Sequence, residues 1–233
     1  MRIEPLGDRA LLITLGAEIA PAVYDRVQRS LGQLRAARLA GVTDMVPAFA
    51  SIVLHYDPTR IAASADGSPY ATLAAAVEQC LRLAVNAREP TGSLVEIPVC
   101  YGGAFGPDLE DLAAAHKLAP DAVVRLHAGH EYFVYMLGFL PGFAYLGGLP
   151  PELATPRRST PRSHVPAGSV GIGGEQTGVY PLESPGGWHI IGRTPERMFR
   201  PEQDPPVRLA MGDRVRFRAI SENDFGRLES SAQ

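Results

Sequence analysis

Val23, Val27, Leu31 and Leu34 recur at every third or fourth position, so a helix would carry them all on one face. Pro21 opens that helix and Gly41 lies just beyond its end. The apolar run "ALLITL" at 10–15 precedes it and "SIVLHYD" at 51–57 follows it, and both predict strands. Ser68 as cap and Pro69 at the first helical position then start a second helix, with Leu73, Val77, Leu81 and Val85 as its buried stripe. The pattern predicts a small α+β domain over residues 1–88.

Beyond the turn-like "REPTGS" the pattern changes. "LVEIPVC" predicts another strand, and short helical stretches follow around 107–128. From there "YFVYML", "SVGIG", "TGVYPL", "WHIIGR" and "DRVRFRAI" are short, β-rich and separated by glycine and proline. This spacing predicts a compact β-barrel domain over 89–220, and the polar "SENDFGRLESSAQ" over 221–233 predicts a frayed tail.

Composition narrows the function. A formal charge of -3 over 233 residues provides no basic field for general nucleic-acid binding. Cys80 and Cys100 have no CxxC spacing, and Glu4, Asp8 and Arg9 break the opening run as a secretory leader, so a reduced, cytoplasmic protein is expected. The single lysine, Lys117, closes a helical stretch, which removes the P-loop, Schiff-base and biotinyl-lysine chemistries. Residues 132–151 carry no charge and reach membrane-span length. Pro141 and four glycines break them as a helix, so no membrane association is expected.

Several stretches invite chemistry. "VPAGSVGIGGEQTG" matches neither phosphate-loop template, and its glycines read as those of a hairpin with tight turns or close backbone approach. Ser169 in "AGSVG" has strand signals on both sides, whereas a nucleophile elbow turns from strand to helix. His127 and His130 have H-x-x-H spacing, but two ligands do not make a metal site, and they read as turn histidines. Asp108, Glu110 and Asp111 read as a solvated helix start favoured by the helix dipole. Arg157, Arg158 and Arg162 lie in a proline-stiffened loop beside Phe139, Phe143 and Tyr145. Guanidinium forks held there suit a carboxylate or phosphate, with solvated surface charge as the alternative.

"GFLPGFAYLGGLP", "PRRSTPRSHVPAGSV", "QTGVYP" and "SPGGWHIIGRTP", in this order after the opening "IEPLGDRALLI", resemble the KipI / allophanate hydrolase subunit 1 family over nearly the whole chain. Bacterial members of that family include a subunit of 5-oxoprolinase. The resemblance implies that the barrel is cyclophilin-like and that the chain pairs with a homologous KipA / allophanate hydrolase subunit 2-like subunit and a third 5-oxoprolinase subunit. It implies ATP-dependent opening of 5-oxoproline to L-glutamate, with ATP required at the level of the complex and this chain inactive alone. Arg157, Arg158, Arg162, Gln176, Tyr180 and Ser184 become the substrate- or anion-binding candidates, and Phe139, Phe143, Tyr145 and Trp188 the groove lining. No residue is assigned a catalytic role and no metal is implied. Two other roles occur with the same resemblance: a component of an allophanate/urea amidohydrolase or carboxyltransferase complex, and a KipI-like histidine-kinase inhibitor.

Overall fold

The computed structural model describes residues 1–18, 20–62, 67–82 and 92–231. The chain divides into two compact units, Met1–Pro90 and Thr91–Gln233.

In the first unit, β1 (Arg2–Pro5), β2 (Ala10–Thr14), β3 (Val42–Pro47) and β4 (Ser51–Tyr56) form an antiparallel sheet in the order β1-β2-β4-β3. Leu11 and Ile13 of β2 and Ile52 and Leu54 of β4 share one core with helix α1 (Pro21–Ala37) and helix α2 (Pro69–Arg82). The helices contribute Val27, Leu31, Leu34, Leu73 and Val77. Only β2 and β4 show the continuous apolar runs of central strands. β1 and β3 are edge strands with mixed polarity, so the apolar pattern passes over them. Arg38, in the left-handed region at φ 45, ends α1 three residues before Gly41. Val85 and the expected boundary at Arg88 lie outside the described residues.

The second unit is built on a closed barrel with strand order β10-β7-β6-β13-β5-β12-β9. Its strands are β5 (Leu94–Tyr101), β6 (Glu131–Leu137), β7 (Ala144–Gly147), β9 (Ser169–Gly173), β10 (Gln176–Val179), β12 (His189–Arg193) and β13 (Arg214–Ala219). β5 and β13 run parallel and the remaining pairs antiparallel. Ile97, Val99, Val134, Leu146, Ile172, Val215 and Phe217 pack in a core that α3 (Leu109–Ala115) and α4 (Pro120–Ala128) join through Leu112 and Val123. A separate two-stranded ribbon pairs β8 (Arg162–Val165) with β11 (Ser184–Gly186).

Two expectations are corrected by the fold. The arginine loop does not stay irregular, because Arg162 begins β8. The tail is not frayed over its described part: Glu222–Ser231 forms helix α5. The Ser221 hydroxyl accepts the Asp224 N–H at 3.1 Å as a cap, and Phe225 is buried with its ring 4.6 Å from Phe105. The uncharged run over 132–151 becomes the β6–β7 hairpin, and among the described residues no helix is long and apolar enough to cross a membrane.

Candidate functional site

The site is organised around Asp108, which directly precedes α3. Gly106 lies against β12, where a Cβ would collide with the Ile191 carbonyl oxygen. That approach lets the Asp108 N–H donate to Ile190 O at 2.9 Å, while Asp108 Oδ2 accepts the Ile190 N–H at 2.6 Å. On the other side Arg162 donates through both Nη atoms, at 2.7 Å to Oδ2 and 2.6 Å to Oδ1, and Arg158 Nη1 donates to Oδ1 at 3.0 Å. Four donors fill the acceptor capacity of one carboxylate. Burial pushes the Asp108 carboxyl up, but the Arg162 hydrogen bonds, the Ile190 N–H and the charges of Arg162 and Arg158 outweigh it and hold the group below its ordinary range.

Asp108 is thus a correction to the solvated helix start. It is 2% exposed, whereas Glu110 and Asp111 are exposed as expected. Its charge is compensated by arginines 50 and 54 residues away, which the local pattern does not record.

The three candidate arginines occupy different environments. Arg162 is engaged bidentately on Asp108. Arg158 is engaged through one Nη, and its Nε is buried without a hydrogen-bond partner among the described residues. Arg157 is exposed and has no ion pair among the described residues. A pocket of about 450 Å3 lies beside them, lined by Arg157, Arg158, Thr155, Ser159, Thr160 and His189. Two histidines buttress it. His116 Nε2–H donates to Thr155 Oγ1 at 2.9 Å, because that hydroxyl itself donates to Leu153 O. His189 Nε2–H donates to Pro156 O, also at 2.9 Å.

Next to the arginines stands a second apolar cluster of Phe143, Val165, Tyr180, Trp188 and Ile190, with Leu140 and Tyr145 packed against it. The Phe143 ring lies edge-on to Tyr145, Tyr180 and Trp188, at centroid distances of 4.9, 5.5 and 5.6 Å. The hairpin glycines are explained by Trp188. A Cβ on Gly173 would lie 2.5 Å from the indole Cδ1, and Gly171 and Gly178 border the same side chain. Close approach is therefore what these glycines provide, and an indole fills the space over them. Burial raises the Tyr180 phenol above its ordinary range, while the backbone N–H of Trp188 and the charges of Arg157 and Arg162 offset part of that rise. Phe139 is at the rim, 63% exposed, in the left-handed region at φ 71 and edge-on to Phe143 at 5.6 Å.

The other candidates lie on the strands next to the arginine loop: the β9–β10 turn bridges to Thr155 through Gly174, and the strand of Ser184 pairs with the strand that Arg162 begins. Gln176 pairs with Gly173 across the β9–β10 turn, and Ser184 pairs with Val165 in the ribbon. Gln176 Nε2 and Ser184 Oγ are buried without hydrogen-bond partners among the described residues. Ser169 is buried where β9 begins, between strands.

His127 is not a turn histidine. It is fully buried in α4 and stacks on Phe217 at 4.6 Å. Thr177 Oγ1 donates to Gly171 O, so it accepts from His127 Nε2–H at 2.9 Å, and His127 Nδ1 accepts from the Tyr101 hydroxyl at 2.8 Å. Burial lowers its pKa to about 3, so the ring is neutral and both nitrogens are engaged. His130 instead is exposed, with Nδ1 on Leu126 O, and no group of three or more potential metal ligands occurs among the described residues.

The family model described as carboxyltransferase domain, subdomain C and D, matches residues 1–209. The chain is 44% identical over 227 residues to the B-type subunit of 5-oxoprolinase from Bacillus subtilis (strain 168), a match that covers 96% of this chain and 95% of that one. The crystal structure of TTHA0988 superposes with a TM-score of 0.77 at 34% identity, over 91% of this chain and 40% of that longer chain. The Kluyveromyces lactis urea carboxylase shares the fold, with a TM-score of 0.79 at 18% identity over 99% of this chain and 22% of that one.

Proposed function

Because the chain belongs to the carboxyltransferase domain, subdomain C and D, family, in its 5-oxoprolinase / KipI-like line, we propose that it is one subunit of an ATP-dependent 5-oxoprolinase. The complex opens 5-oxoproline to L-glutamate in the cytoplasm, with a KipA-like homologous subunit and a third subunit as partners. The observation that carries this reading is the end-to-end similarity to the B-type subunit of 5-oxoprolinase, because it spans the aromatic cluster and the arginine rim together rather than one motif.

The chemistry demands what this rim offers. A lactam is a poor electrophile, and a phosphoryl group from ATP bound by the complex would activate its carbonyl carbon for attack by water, after which the C–N bond breaks and the ring nitrogen leaves as the amine of glutamate. This chain's arginines suit the anionic part of such a ligand, where each charge-assisted hydrogen bond contributes about 1.5–3 kcal/mol net. Nothing in the cluster offers a phosphate-loop lysine, since Lys117 sits in a left-handed turn after α3. Phe143, Tyr180 and Trp188 are buried in the neighbouring aromatic cluster, with Tyr145 packed against it, and none of the four is among the residues that line the arginine pocket.

The test is reconstitution. With its partner subunits the chain is expected to support ATP-dependent release of glutamate from 5-oxoproline, and none is expected from the chain alone or from the partners without it. A complete complex that leaves 5-oxoproline untouched, or full activity from the single chain, would reject this reading.

A further inference from the structure

We infer that the pocket beside the arginine loop is an oxyanion seat whose charged contacts are Arg157 and Arg158, with Arg162 and Asp108 as the scaffold that positions them. The three arginines look equivalent in the sequence and are not equivalent in the fold. Both Nη atoms of Arg162 are taken by a buried carboxylate, so its planar fork faces inward. Arg158 is fixed by the same carboxylate through one Nη only, and its backbone N–H donates to Gly187 O at 2.8 Å. That leaves further guanidinium donors on an anchored side chain. Arg157 is exposed and carries no ion pair among the described residues.

Charge and lining agree on the ligand. Two guanidiniums, those of Arg158 and Arg162, meet one carboxylate and Arg157 adds a third positive charge beside them, so the cluster is left with surplus positive charge, and among the described residues no carboxylate lines the pocket. The hydroxyls of Ser159 and Thr160 and the His189 ring add polar groups to the same lining. Positioned arginines beside hydroxyls suit the planar, multidentate oxygens of a carboxylate or a phosphoryl group. The seat depends on the 5-oxoprolinase reading only for which of these two oxyanions is physiological: the 5-oxoproline carboxylate or a phosphoryl group from ATP.

The full chain, titrated at constant ionic strength with inorganic phosphate and separately with acetate, tests the seat through its arginine side-chain N–H resonances. At least one anion is expected to bind saturably. Arg157→Gln should weaken that binding tenfold or more, with an unchanged thermal midpoint because the side chain is exposed. Arg227→Gln on α5 makes the same charge change and should leave the affinity within twofold. Saturation by phosphate alone marks a phosphoryl seat, and saturation by acetate alone a carboxylate seat. Absence of saturable binding by either anion, or equal weakening by Arg227→Gln, overturns the proposal. Hydrolysis of 5-oxoproline by the reconstituted complex is scored separately, so an inactive complex with intact anion binding refutes the functional reading and leaves the seat standing.

Discussion

At the scale of residues, Asp108 decides what the arginines are for. Asp108→Asn keeps its size, removes the charge and leaves Arg158 and Arg162 facing each other uncompensated. Removing one partner of a buried ion pair costs about 3 kcal/mol, which for a protein of this size lowers the thermal midpoint by roughly 10 °C. The carboxyl sits below its ordinary range, so its contribution is present at neutral pH and is lost as the pH falls below that range. An unchanged midpoint at neutral pH would mean that the half-exposed arginines relax into solvent without cost. Glu110 and Asp111 are legible as a solvated helix start, because a helix dipole acts within one turn. Asp108 is not, because its partners come from a distant loop and from the backbone of β12.

At the scale of elements, legibility follows the strength of the local period. The stripes of α1 and α2 and the apolar runs of β2, β4, β5, β6 and β13 stand out because each element buries one continuous face or run. β7, β8 and β11 are four residues or fewer, too short to show a period, and two of them pair only with each other. Helix α5 escapes the pattern for another reason: its one buried anchor, Phe225, stands alone in a polar segment. Phe225→Ala is expected to destabilise the barrel unit by about 3 kcal/mol, since it removes the ring that packs on Phe105 and lies under the Arg193 guanidinium, 5.9 Å away. Hydrogen exchange at the α5 amides should accelerate in the same variant. A helix that frays independently would show neither change.

At the scale of the whole molecule, closure of the barrel buries His127 as a neutral ring between Tyr101 and Thr177. Its pKa falls from 6.5 to about 3, so between those values the unfolded chain binds the proton that the folded chain excludes. Stability is therefore complete above the unfolded value and declines as the pH drops, by up to about 1.4 kcal/mol per pH unit. Denaturant unfolding should show about 2 kcal/mol lost from this group between pH 7 and 5, and His127→Gln should remove that part of the slope. An equal slope in the variant would assign the acid sensitivity to other groups. The sequence by itself determined an α+β unit followed by a β-barrel, because strands and helices declare themselves through local period and turn chemistry. It also determined that aromatic and arginine motifs adjoin. Only the tertiary structure decided that His127 is core, that Asp108 is a buried hub, and that Arg157 is exposed while Arg162 is bound. Those outcomes depend on burial and on partners tens of residues away, which come into contact only when the barrel closes.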